Sequence, residues 1–405
     1  MGIKRTLSAE RLGLEVDREP GIRDLEITDV QTTVVGDTGE YGSFLWTFVR
    51  VYTDAGIVGT GESFPAGGVP GNVERIKPLL VGENPLDIDR LYEQMVERMT
   101  LEGSIGGTIV SAISGIEIAL HDIAGKVLEV PAYQLLGGKY RDEVRAYCDC
   151  EHERGWEPEQ FADEAERTIS EYGFDGIKFN LDLHSGVEKD HANRRLSSAD
   201  VEHRRAIVEA VTERVSPDAE AAFDCHWGFT AESAKRVARA IEPYDVWWLE
   251  DPIPPENVGV QKDVTEATST PIATGENLAR RHGVADLITS GAADILHIDV
   301  PKVGGMRETR KIADMADTYY TPMAMHNLSS PVGTMASAHV AAAVPSFVAL
   351  EFHSYDVPEW HDLVEESALD DGHVPVHESP GLGLTLNLDV VEENMVDGET
   401  LFDEA

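Results

Sequence analysis

A chain of 405 residues, 42% of them hydrophobic, is long enough for two domains or one large barrel with an added module, and apolar enough to bury a core. Lys and Arg total 33 against 74 Asp and Glu, a formal net charge of -41 that repels phosphate backbones and anionic lipid and so sets nucleic-acid and membrane partners aside. The acids are spread along the whole chain, the pattern of a surface adapted to concentrated salt, which screens the repulsion within a short distance.

Residues 1–23 read as an N-terminal extension. "MGIKRTLSAERLGLEVDREPG" has no apolar run of signal-peptide length, and its match to an acylation pattern through Gly2 and Thr6 is of a kind that arises by chance. "LEITDVQTTVV" and "LWTFVRVYTDAGIVGTGES" then alternate as strands do, with a turn at Asp54 to Gly56. Helical patterns follow in "NVERIKPLL", "IDRLYEQMVERM" and the segment 108–128, whose apolar run is broken by Glu117, His121 and Asp122 and does not read as a bilayer span. Strands followed by helices predict an α+β module over residues 24–143.

After "GGKYRDEV" the rhythm changes. "VRAYCDC", "GIKFN", "AAFDCHW", "VWWLED", "PIATGEN", "DILHIDV", "TPMAMHN" and "FVALEFH" alternate with amphipathic helices such as "PEQFADEAERTISEY" and "AESAKRVARAIEPY". Eight such units over about 210 residues predict a (β/α)8-type barrel, a modified TIM barrel within the α/β class, over 144–355. An open doubly wound sheet is the alternative, but no GxGxxG opens its first helix. The polar connection 182–200 follows the second strand, where loops lie at a barrel's functional face, and is expected to cover substrate. The segment 356–405, with "PGLGLTLNLD", is expected to return to the first module. Cys148, Cys150 and Cys225 form no framework of bridges; they read as small buried thiols in a reducing, cytoplasmic interior, CxC lacking the paired spacing of a zinc site.

Polar residues end the apolar strands. Asp224, Glu250, Glu276, Asp299, His326 and Glu351 follow one another at separations of 26, 26, 23, 27 and 25 residues, the length of a βα unit. Three acids on consecutive strands, Asp224, Glu250 and Glu276, converge on one rim, where they repel one another unless a cation sits among them. Hard oxygen donors that leave positions open suit Mg²⁺, and a metal with an open position suits proton abstraction beside a carboxylate. Lys178, ending "FDGIK", is a cation next to that metal. His326, held by Asp299 on the neighbouring strand, is a candidate general base. His226, two positions beyond Asp224 and on the same face of an extended strand, is the candidate acid across the site.

In order, "KFN", "DCH", "EDPIPPEN", "GEN", "DVPKVGG", "HN" and "LEFH" resemble the enolase superfamily, and within it the mandelate racemase subgroup; "GIEIALHDIAGKVLEVPAYQLLGGKYRDEVRAY" resembles its junction between capping domain and barrel. The resemblance spans about residues 24 to 390. It implies a capping domain built from the N-terminal region and the C-terminal segment, whose loops near "GDTGEYG" and "ESFPAGGVPGN" close the barrel mouth. It also implies Mg²⁺ on Asp224, Glu250 and Glu276, a His326–Asp299 base, Glu351 as hydrogen-bond donor to the developing enediolate, and a homo-oligomer. Where racemases of the superfamily carry a second lysine, this chain has Asn180, which cannot titrate. That departure, with the histidine of "DCH", is similar to acid-sugar dehydratases, in which His226 would protonate a leaving hydroxyl. The expected partner is a small sugar acid such as gluconate, galactonate or xylonate, gluconate being preferred. A racemase or epimerase using His326 with a partner such as Lys178, and a non-catalytic metal-binding paralogue, are the alternatives. Asn180, His297, Trp248 and His353 are candidate substrate contacts; Trp248 and His353 equally read as layers of the barrel core.

Overall fold

Three antiparallel strands, β1 (Ile27–Asp37), β2 (Phe44–Thr53) and β3 (Val58–Ser63), form a sheet in the order β1-β2-β3. Their alternating apolar residues, Val30, Val49 and Val51 among them, are fully buried. The computed structural model describes residues 25–37, 44–150, 156–182, 195–215, 217, 219–354 and 357–403. The extension 1–23, most of "GDTGEYG" and most of the connection 182–200 lie outside the described residues. The buried face of the sheet packs on helix Thr108–Leu128, and Gly59 and Gly61 of β3 lie so close to it that a Cβ on either would collide with the backbone of Ala119 or Gly115. Helices Val69–Ile76 and Ile88–Leu101 complete this module.

Helix Thr108–Leu128 is, among the described residues, the one helix long and apolar enough to cross a membrane, yet every residue from Val110 to Gly125 is buried within the protein. Its polar interruptions are docking points. Glu117 accepts the backbone N–H groups of Met306 (2.8 Å) and Arg307 (2.9 Å), and so caps helix Gly305–Asp317 of the barrel. That cap, with Gly304 at φ 134° and Gly305 at φ 87°, accounts for the double glycine as a start-of-helix turn. Asp122 accepts Thr60 N–H (2.9 Å), Leu382 N–H (2.9 Å) and the Lys126 ammonium (2.6 Å), tying β3 and the C-terminal segment to the helix. Glu62 of β3 accepts the N–H groups of Ser330 (3.0 Å) and Gly333 (2.8 Å) at the start of barrel helix Pro331–Ala343.

Eight parallel strands follow: β4 (Glu143–Asp149), β5 (Gly176–Asn180), β6 (Glu220–Asp224), β7 (Val246–Glu250), β8 (Ile272–Thr274), β9 (Ile295–His297), β10 (Met323–Met325) and β11 (Phe347–Phe352). Each pairs with its successor and β11 pairs with β4, closing the barrel expected from the sequence. Seven of these strands contribute to an interior layer of Tyr147, Ala222, Trp248, Ala273, Ile295, Ala324 and Ala349, two large aromatics filling the space that the alanines leave. The three cysteines are free and buried, packed in the layer between strands and helices. Strand β12 (His373–Pro375) adds antiparallel to β4, and the chain then reaches back to β1, where Gly36 N–H donates to Asn394 O (3.0 Å) and Val396 N–H to Val34 O (3.0 Å).

Candidate active site

The parallel register brings the polar strand ends to one rim. Asn180 is level with Asp224, and Asp224 with Glu250. Glu276 lies two residues past β8, Asp299 two past β9, and His326 directly after β10. Lys178 is 1% exposed at the centre of the cluster, its ammonium 2.6 Å from Glu351 Oε1, 3.0 Å from Glu250 Oε1 and 3.3 Å from Asp224 Oδ2.

Too much negative charge surrounds that one ammonium. Burial and the Asp224 charge push the Glu250 carboxyl up to about 8. Burial also raises Asp224, but His226, Lys178 and the His226 N–H (2.7 Å) hold it well below the usual range. Glu276 is likewise held low against its burial by His326 and Lys302. A divalent cation fits such a set of buried oxygens, and Asn180 Oδ1, buried without a hydrogen-bond partner among the described residues, is a free acceptor at the same rim. The ligand atoms that lie within 4.8 Å of one another belong to Glu250, Glu276 and His297; the Asp224 carboxylate faces Lys178 and His226 instead. His297 is a poorer donor than Asp224 for a hard cation, because it offers an imidazole nitrogen in place of a carboxylate oxygen.

His326 and Asp299 form a buried dyad, Nδ1 to Oδ2 2.6 Å, with the far nitrogen 3.2 Å from Glu276 Oε2. Burial lowers the imidazole, but Glu276, Glu351 and Asp299 raise it further, to about 9. A cation on Glu276 would draw that charge away and return the ring toward the range a general base needs. Glu351 accepts Asn327 N–H at 3.0 Å, and burial pushes its carboxyl up, the state in which a carboxylic acid donates a hydrogen bond.

Two expectations change. Trp248 and His297 do not line the mouth: both are 0% exposed, below the rim. Trp248 Nε1 donates to Glu250 Oε2 (2.9 Å), and His297 Nδ1 lies 2.9 Å from Glu250 Oε1, its ring held neutral by burial that lowers it to about 4. Trp248 supports Glu250 from beneath and His297 lies beside it, because inward positions one pleat below the rim form the interior layer. His226 does not reach the site by strand alternation: β6 ends at Asp224, and His226 (φ 41°) and Trp227 (φ 58°) turn left-handed. The ring still arrives beside Asp224, Nε2 3.4 Å from Oδ2, with its other nitrogen 3.1 Å from Asp182 Oδ1. His353, 14% exposed, stays at the rim, 3.9 Å from Asp149 Oδ2.

Other residues of the site went unread in the sequence. Asp149 ends β4 with Oδ2 4.0 Å from the Lys178 ammonium, and Asp182 follows β5. From "ESFPAGGVPGN" of the capping module, the Phe64 ring reaches within 6.3 Å of the His326 ring and lies 4.2 Å below the Lys302 ammonium. Acids just past a strand end were the available signal for Asp182; nothing local marks Phe64 or Lys302.

Residues 160–390 match the family described as enolase C-terminal domain-like, and residues 29–137 match the mandelate racemase/muconate lactonizing enzyme N-terminal domain. The chain belongs to the enolase superfamily. It is 61% identical over 99% of its length, and 96% of the relative's, to a D-xylonate dehydratase of Haloferax volcanii. A D-galactonate dehydratase of Pectobacterium atrosepticum is 31% identical, over 86% of this chain and 90% of that one. Among solved structures, a mandelate racemase/muconate lactonizing enzyme-like protein from Rubrobacter xylanophilus superposes with a TM-score of 0.86 at 38% identity, covering 93% of this chain and 99% of its own. This superfamily member is an enzyme of the lyase kind, as its dehydratase relatives are.

Proposed function

We propose that the protein is a Mg²⁺-dependent sugar-acid dehydratase that converts an aldonate to its 2-keto-3-deoxy acid, with D-xylonate as substrate. The observation that carries the reaction is the placement of His226 and His326 after β6 and β10, four strands apart in a closed barrel and therefore on opposite walls of one carboxylate cluster. The 61% identical D-xylonate dehydratase supports the pentonic acid over the gluconate preferred from sequence.

Asp224, Glu250 and Glu276 would hold the metal. When bound, Mg²⁺ supplies fixed positive charge beside the substrate carboxylate, lowering the cost of an enediolate. His326 Nε2 takes the C2 proton, with Asp299 fixing the ring so that this nitrogen faces the site. Lys178 and a protonated Glu351 stabilise charge on the substrate oxygens. The C3–O bond then breaks, His226 gives its proton to the departing hydroxyl as water leaves, and the enol becomes the ketone. Racemisation through Lys178 is disfavoured by its contacts with Glu351, Glu250 and Asp224, which leave it a charge rather than a base.

The acidic surface supports a protein that works in concentrated salt, its few cations shared among acids as Arg214 is among Glu159, Asp163 and Glu166. A cytoplasmic homo-oligomer acting on a small sugar acid, independent of nucleic acid and membrane, completes the reading. The test is turnover of an aldonate panel by purified protein in multimolar salt with Mg²⁺, following 2-keto-3-deoxy product with semicarbazide. D-xylonate turnover that disappears on chelation and in His326→Asn is expected. Silence across the panel from folded, metal-loaded protein would overturn the reading.

A further inference from the structure

We infer that Asp182 is a positioning residue that makes His226 the second of two matched His–Asp dyads, directing its Nε2 into the site. The inference rests on the dehydratase reading for its chemistry, but its geometry stands alone. In the first dyad, Asp299 follows β9 and holds Nδ1 of His326, which follows β10; its Nε2 points at the Glu276 carboxylate. In the second, Asp182 follows β5 and holds Nδ1 of His226, which follows β6; its Nε2 points at the Asp224 carboxylate. Each aspartate comes from the strand before its histidine, and the two pairs are half a barrel apart.

The surroundings fix the second pair in place. Asp182 is 5% exposed. The residue before it is anchored at both ends of its peptide unit, Leu181 N–H donating to Asp224 O (2.6 Å) and the fully buried Arg204 donating to Leu181 O (2.8 Å). On the histidine side, the left-handed pair His226–Trp227 is held by Trp227 N–H to Asp251 O (2.6 Å) and by Gly228 N–H to Cys225 O (2.8 Å). A Cβ at Gly228 would sit 2.9 Å from Cys225 O and 3.4 Å from Asp182 Cβ, so the turn is packed against the aspartate. Two adjacent non-glycine residues at positive φ are costly, and this turn spends that cost on aiming one ring. With Nδ1–H bonded to Asp182, proton transfer proceeds from Nε2 alone: the Nε2–H bond breaks, a water O–H forms as C3–O breaks, and neutral imidazole keeps its Nδ1–H on the carboxylate.

Asp182→Asn keeps the side chain's shape and removes the charge that selects the tautomer. In D₂O with Mg²⁺ and substrate, dehydration is expected to fall roughly 10²-fold, while KM and C2 deuteration of recovered substrate stay within about threefold, since the first dyad is intact. Asp182→Glu recovers part of the loss, and adding Asp182→Asn to His226→Gln costs nothing further. Loss of exchange and dehydration together, or of neither, overturns the inference. Histidine ¹⁵N shifts of the neutral ring in substrate-free protein give a readout apart from activity: Nδ1–H on His226, lost in Asp182→Asn, is expected, and a wild-type Nε2–H tautomer overturns it. Silence on every aldonate with Nδ1–H retained would sink the dehydratase reading and leave the dyad standing.

Discussion

Two sets of three buried carboxylates lie in this molecule, and they are opposites. Glu62, Glu117 and Asp122, at the seam between capping module and barrel, face backbone N–H groups, two or more each. Asp224, Glu250 and Glu276, at the barrel mouth, bring like charge to one place, with Lys178 between Asp224 and Glu250 and Lys302 3.7 Å from Glu276. Burial is the same in both places, from 0% to 6% exposed, so burial does not distinguish them. One acid of each set is pushed up: burial takes Glu62 to about 7 although Ser330 and Gly333 donate to it, and Glu250 to about 8. What separates Glu62 from Glu250 is the next cause in line, the hydrogen bond donated by Ser330 at the seam and the like charge of Asp224 at the mouth. A buried acid among N–H groups holds the fold together; buried acids among acids await a cation.

The contrast predicts stability and activity effects of opposite pattern. Asp224→Asn, Glu250→Gln or Glu276→Gln should each lower kcat/KM roughly 10³-fold or more, while for Glu250→Gln, which relieves repulsion, the melting temperature of metal-free protein stays level or rises. A matching loss of stability would erase the distinction. Glu117→Ala leaves two buried N–H groups without acceptors and should cost roughly 2–4 kcal/mol in denaturant titration at fixed salt, with kcat of the folded fraction within about threefold. His339 belongs to the same seam, accepting Tyr133 N–H at Nδ1 (3.3 Å) and bonding Leu382 O through Nε2 (3.1 Å), and burial lowers it from 6.5 to about 4. A group held below its unfolded value stabilises the protein above that value. Its contribution, roughly 3 kcal/mol, should therefore be present above pH 6.5 and be lost as pH falls toward 4. His339→Gln should flatten that part of the wild-type pH–stability curve; an unchanged slope would refute it. The smallest effect is expected at the mouth's rim, where Phe64→Ala should raise KM about three- to tenfold with stability unaltered.

Much of this was legible in the chain. The eight apolar runs became the eight barrel strands, and the even spacing from Asp224 to Glu351 marked the rim, because a βα unit has a narrow range of lengths. Glu117 and Asp122 were legible only as interruptions of an apolar helix; their partners lie 189 and 260 residues away. Trp248 and His297 were ambiguous because the same inward face carries both the rim and the layer beneath it. The turn at His226 defeated alternation, since no residue there advertises a left-handed backbone as glycine would. Asp182 was within reach by analogy with Asp299, one strand ahead of its histidine.

Two acids, Glu62 and Glu117, fasten the capping module to the barrel at Ser330 and Met306, and a third, Asp122, fastens the returning C-terminal segment to the same module at Leu382. Beside that seam the segment carrying Phe64 meets the barrel twice, through its ring beneath the Lys302 ammonium and through Phe64 N–H donating to Pro301 O (3.3 Å), and it runs into Gly67 and Gly68, where nothing crowds the backbone.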